Sequence, residues 1–382
     1  MNRISVNPKV LRWARERAGI PVQVLTRFFP KYELWEKTQA SPTMNQLEKL
    51  AKKTLTPLGC FFLPEPPVDK LPIPDFRTIK DGAPLRPNPN LLDTIRIIQH
   101  RQNWMREYLI EQGEDPLPFL ASAQLSDKAD DVASRIRNTL GLSIDWAEKE
   151  RTWSESLIKL RNTIENTGIL TVFNGVVGNN THRHLNVEEF RGFVLIDEYA
   201  PFVFVNSADA KAAQIFTLAH ELVHIWLGVG GVFNLRNMQP SDNQVEIFCN
   251  QVAAEFLVPK DAIMLKWKDA RYAENPFHEL ARHFKVSPLV TARRALDLGL
   301  ISKEHFFAFY NEYMENAETR ATTKSGGGDF YQTQKLRIGA RFMKAVIGAA
   351  KEGRLLYRDA FQITGLSGQT FDKFASFLQK GK

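Results

Sequence analysis

Apolar positions recur at helical spacing over most of the chain and at strand spacing over one short stretch. Between residues 7 and 57 they fall in small clusters: Leu11, Trp13, Ala14, Ala18 and Ile20, then Val22, Val24, Leu25, Phe28 and Phe29, then KYELWE, then Leu47, Leu50 and Ala51. Each cluster reads as a short amphipathic helix, punctuated by Gly19, Pro21, Pro30 and the turn from Thr38 to Thr43. Pro64, Pro66, Pro67, Pro72, Pro74, Pro84, Pro87 and Pro89 then rule out helix and predict an extended connector. A long helix follows over Leu91–Gln112, and two more over 129–140 and 154–166. From Gly168 the pattern changes. The β-branched runs 168–173, 191–196 and 202–205 predict a small sheet with an antiparallel hairpin across the turn Asp197–Pro201. A helix resumes after the last of these strands, with Asn206, Ser207 and Asp209 as expected N-caps.

Segments 277–284 and 288–298, joined by Lys285-Val286-Ser287, form a helix-turn-helix pattern whose second helix carries Thr291, Arg293 and Arg294. Residues 315–328 are polar and end in Gly326-Gly327-Gly328, a linker without the Gly-Lys-Ser/Thr of a phosphate loop. The expected division is therefore 1–62, a connector at 63–90, 91–260, 261–314, a linker at 315–328, and a basic helical region at 329–382.

The strongest chemical signal is Thr217–Pro259, TLAHELVHIWL…VEIFCNQVAAEFLVP. His220 and His224 are four apart, so on a helix they share a face and can grip one metal ion. Glu221 projects beside them. A catalytic zinc takes three protein ligands, and the downstream carboxylates are Glu246 and Glu255. On the second helix Val245, Cys249, Val252 and Phe256 form an apolar stripe. Glu246 and Asn250 lie along its edge, whereas Glu255 falls on nearly the opposite side and is expected in solvent. Glu246 is thus the expected third ligand. Asn250, one turn on, is placed to accept from a histidine Nδ1–H and leave Nε2 for the metal. One zinc ion per chain is expected, with Glu221 as the base that takes a proton from the attacking water and returns it to the leaving amine. An oxyanion partner is also needed. His283, Tyr199, His182 and His184 are candidates among which spacing does not choose, and each also fits a surface or packing role.

Charge adds one feature. Residues 1–60 hold 11 Lys+Arg against 4 Asp+Glu and residues 329–382 hold 10 against 4, while the stretch between holds 29 against 35. Two basic ends flank an acidic middle. They suit DNA or an acidic protein, and equally the acidic middle of the same chain. No run of about 18 apolar residues predicts a membrane span, and arginines replace the apolar core of a signal peptide in MNRISVNPKVLRWARER, so a cytoplasmic location is expected. Cys60 and Cys249 read as reduced.

Two resemblances follow from these residues. The N-terminal clusters and the W-E-x-x-x-A-S-P-T segment resemble the helix-turn-helix domain of Xre/Cro-type repressors. Only Lys31–Lys37 is available as a recognition helix, about two turns. Glu33 and Glu36 face phosphates unfavourably there, so protein contact fits as well as DNA reading. The stretch RGF, VNSAD, FTLAHELVHIWL and ExxCNxxAAEFLVP resembles the ImmA/IrrE zinc metallopeptidases, over about residues 168–300. That resemblance implies an α+β, mostly helical, zincin-like fold: a small sheet with the HExxH and Glu helices, flanked by helical domains. It also implies His220, His224 and Glu246 as ligands, Glu221 as catalytic residue and Asn250 behind them. The expected activity is a zinc endopeptidase that cleaves a specific partner, a repressor, antitoxin or toxin protein, in the manner of members found at toxin–antitoxin loci. The competing expectation is an antitoxin or transcriptional regulator that binds DNA or a toxin, with the zinc domain as scaffold.

Overall fold

The computed structural model describes residues 3–68, 71–74, 87–233, 243–320 and 329–379. Pro84 of the expected connector and Gly326–Gly328 of the expected linker lie outside these residues. The chain divides into two units, Met1–Pro72 with Ile79–Arg96, and Ile73–Thr78 with Ile97–Lys382.

The first unit holds α1 (Pro8–Arg17), α2 (Val22–Phe28), α3 (Tyr32–Glu36), α4 (Met44–Thr54) and a 3₁₀ turn over Leu58–Phe62. Asn7 caps α1 through Lys9 N, and Pro8 supplies a fixed φ at its first turn. Thr43 and Gln46 close a capping box on α4. Apolar faces meet in one core that includes Leu11, Leu25, Tyr32, Trp35, Leu47 and Phe61. The Tyr32 hydroxyl donates to Leu11 O at 2.9 Å, and Glu36 pairs with Arg15 at 2.9 Å. Helix α3, the would-be recognition helix, is therefore five residues long and spends Tyr32, Trp35 and Glu36 on its own core. Glu33 and Leu34, with Lys31 and Lys37 beside them, are what it exposes.

Next come α5 (Pro89–Glu111), which starts on a proline of the expected connector and runs across the division between the units, and α6 (Ala129–Leu140) and α7 (Trp153–Asn166) of the second unit. The strands are β1 (Leu170–Asn174), β2 (Val176–Val177), β3 (Asn180–His184), β4 (Gly192–Leu195) and β5 (Phe202–Asn206). Helix α8 (Lys211–Leu227), β6 (Gly231–Phe233) and α9 (Gln244–Leu257) follow, then α10 (Lys260–Ala270), α11 (Pro276–Phe284), α12 (Pro288–Asp297) and α13 (Lys303–Arg320). The last elements are α14 (Phe330–Ile338), α15 (Ala340–Lys351), α16 (Tyr357–Thr364) and α17 (Gly368–Gln379).

The architecture is mostly helical with a small mixed sheet, as expected. Strand order is β1-β5-β4-β6, with β1 parallel to β5 and β4 antiparallel to both neighbours. Every residue of β1, β4 and β5 is buried, the pattern of a sheet covered on both faces. Helices α7 and α8 pack on it, and α14 packs along β1. Phe342 of α15 sits edge-on to Phe202 of β5. Arg101 of α5 binds this terminal region with no carboxylate: it donates to Ile363 O and Arg337 O at 3.0 Å and to Thr364 O at 3.4 Å. The basic tail also meets the acidic middle directly, because Lys335 and Lys344 act on the buried carboxylate of Glu165 and Arg341 donates to its carbonyl oxygen.

One expectation fails. Helix α8 begins at Lys211 with Ala210 at the cap and no side-chain cap. Asn206 is instead spent on Phe190 O and Ala208 N, and Gln214 reaches back to Ser207 O and Asp209 O. The helix-turn-helix pattern of α11 and α12 is a packing element. Thr291 is fully buried and donates to Phe277 O and Pro288 O, and Arg294 is bound to Val258 O and Glu255. No helix among the described residues is long and apolar enough to cross a membrane. Both cysteines are free thiols.

Candidate metal centre

Helix α8 is apolar on all sides because it is enclosed on all sides, by β4, β5, α7 and α9. Its carboxyl end is fixed by Gly228 in the left-handed region at φ +69°, where a side chain would also strike Ala121. Within this setting His220, Glu221 and His224 are fully buried, and α9 brings Glu246 against them, 4% exposed.

The three donor atoms converge. Nε2 of His220 and Nε2 of His224 lie 3.2 Å apart. Oε2 of Glu246 is 3.3 Å from the first and its Oε1 is 3.5 Å from the second. A tetrahedral ion with bonds of about 2.0–2.1 Å separates its ligands by roughly 3.3–3.4 Å, close to the spacing of the two nitrogens and of each nitrogen from the carboxylate oxygen beside it. His220 Nδ1 lies 3.0 Å from Oδ1 of Asn250. An amide oxygen only accepts, so this bond requires Nδ1–H on His220 and leaves its Nε2 lone pair facing the cluster. Among the described residues this is the only group of three or more histidine, cysteine or acidic side chains so gathered.

Electrostatics separate the roles. Burial, and then the Glu246 charge, hold the Glu221 carboxyl well above the usual carboxylate range. Burial, and then His220, push His224 well below the ordinary imidazole value, which keeps it neutral. Cys249 is raised by burial, then by Glu246 and Glu221, and stays a thiol in the apolar stripe. Both oxygens of Glu221 are buried and accept no hydrogen bond among the described residues.

Residues 164–296 match the Peptidase_M78 family model, the IrrE N-terminal-like domain. The match runs from the end of α7 to α12 and so holds the sheet and both helices of the cluster. It points to a metallopeptidase type of function. Residues 338–377, spanning α15 to α17, match a domain of unknown function, DUF8813. No curated protein matches the chain.

Several expected residues lie elsewhere in the second unit. Glu255 is not in solvent: its side chain pairs with Arg294 of α12, which closes over that side of α9. His283 pairs with Glu148 at 3.3 Å in a cleft lined by Ile144, Leu257, Leu265 and Phe284. His182 and His184 stand exposed on β3. Tyr199 lies in the turn past Leu195, at the opposite end of β4 from the cluster. None of these three histidines joins the group formed by His220, His224 and Glu246. One neighbour of the site was missed, Gly192 of β4, whose backbone abuts Glu221 and Thr217. A lone glycine inside the apolar run RGFVLI is the available signal for such an approach.

Proposed function

We propose that the chain is a zinc-dependent endopeptidase of regulatory type that cleaves a specific partner protein. The observation that carries this reading is the buried group of three donor side chains, His220, His224 and Glu246, with a buried glutamate on the same helical turn whose carboxylate has no hydrogen bond among the described residues. His220, His224 and Glu246 would hold the ion, and Asn250 fixes the tautomer of His220. When bound, zinc supplies Lewis acidity that acidifies water and polarises a carbonyl. Glu221 accepts the proton of the attacking water on its carboxylate and hands it to the nitrogen of the leaving amine. A carboxyl group can serve both halves of that transfer, as a base in its charged form and as an acid in its protonated form.

A repressor- or antitoxin-like protein is the substrate class we assign, on the resemblance to the ImmA/IrrE peptidases. Binding of such a partner by the first unit is supported by α3, whose exposed side offers Leu34 and Glu33 in place of a row of base-reading polar groups. The test labels new protein amino termini in cells expressing the wild type or Glu221→Gln. One or a few termini should appear with the wild type only, while both proteins bind one zinc. The same termini from zinc-loaded Glu221→Gln would sink the proposal.

A further inference from the structure

The carboxylate of Glu221 has no hydrogen bond among the described residues to orient it, so its place is set by packing. The wall it packs on is β4. A Cβ built on Gly192 would lie 2.7 Å from Oε1 of Glu221, 2.7 Å from Cγ2 of Thr217 and 3.0 Å from the Phe204 carbonyl oxygen. Real Cβ atoms do not approach so closely, so something must shift. The backbone of Gly192 lies in an ordinary strand, paired with Val205 and Phe233. Its conformation therefore admits any residue, and only the lack of space selects glycine. Thr217 stands one turn before Glu221 on α8, so one missing methyl group makes room for two side chains of the site helix. None of the three atoms that a Cβ would lie nearest belongs to His220, His224 or Glu246.

We propose that Gly192 is a positioning residue for Glu221. Its absent side chain is the slot that holds this carboxylate beside the histidine pair, while the ligands themselves are positioned by other contacts. The catalytic consequence rests on the peptidase reading; the packing relation does not.

A double-mutant cycle on the metal-free protein separates the two. Gly192→Ala should lower Tm, and adding Glu221→Ala, which deletes the atoms the new methyl meets, should recover much of the loss. Adding Thr217→Ser, which deletes Cγ2, should recover a smaller part. Recovery by Thr217→Ser alone, or by neither change, would overturn the proposal. If Gly192→Ala does not fold, folding of Gly192→Ala/Glu221→Ala supports it, and failure of that double variant to fold overturns it. Where Gly192→Ala folds, it should bind one zinc with wild-type affinity and lose on the order of 100-fold in kcat for the partner cleavage at unchanged KM. Equal loss of zinc affinity would mark Gly192 as structural only. If the wild type cleaves nothing, the peptidase reading fails and the stability cycle still decides the role of Gly192.

Discussion

Replacing Asn250 by alanine tests the metal centre without touching a ligand. The Asn250 side-chain oxygen is 3.0 Å from Nδ1 of His220, and the His220 side chain is wholly buried. Without that acceptor the buried Nδ1–H is left unsatisfied, at a cost of about 1–3 kcal/mol. The ring can avoid the cost by moving its proton to Nε2, but that nitrogen then ceases to be a donor atom for the ion. Binding the ion must then reverse that proton shift, which weakens the metal. At about 1.4 kcal/mol per factor of ten, the zinc dissociation constant should rise roughly 5- to 150-fold. Competition with a chromogenic chelator at fixed pH reads this directly, on the wild type, Asn250→Ala and Asn250→Asp. Aspartate keeps the acceptor, so its affinity should stay near or above that of the wild type. Wild-type affinity in Asn250→Ala, or equal weakening in both variants, would refute the role given to the side-chain oxygen.

Two further outcomes follow. Because the folded-state pKa of Glu221 is raised, folding favours its protonated form, and the metal-free protein loses stability as pH rises from about 4.5 through the folded value. Metal-free Glu221→Gln escapes this loss, so its Tm advantage over the wild type should grow between pH 5 and pH 8 in calorimetry; a constant difference would contradict the shift. Arg101→Met should destabilise the terminal helices, since three buried carbonyls lose a donor at about 1–3 kcal/mol each before relaxation. Hydrogen exchange confined to α14–α17 should rise, and uniform exchange would argue against a local anchor.

The site was legible because its spacing is a property of single helices. The i, i+4 histidines need only α8, and Glu246 and Asn250 need only the apolar stripe of α9 to be placed on its inner edge. The strands β1, β4 and β5 announced themselves by β-branched runs. What escaped depends on partners distant in sequence. Glu255 looked solvent-facing because α9 alone has a far side, yet Arg294 arrives from α12 to bury it. The exposed strand β3 has no apolar face to mark it, and β6 is too short to carry a period. Gly192 shows in sequence only as a glycine; that it faces Glu221 is a fact of two elements meeting.

The metal-ligating side chains divide unevenly between two helices, and that division has a mechanical meaning. Two of them ride on α8, which is walled in on every side, and the third rides on the first turn of α9, beside Ile247, which is 41% exposed. An ion gripping all three would rivet the first turn of α9 to α8. Withdrawal of metal would then leave that turn held to α8 by packing alone, so that the ion would be a clamp between two helices as well as a reagent.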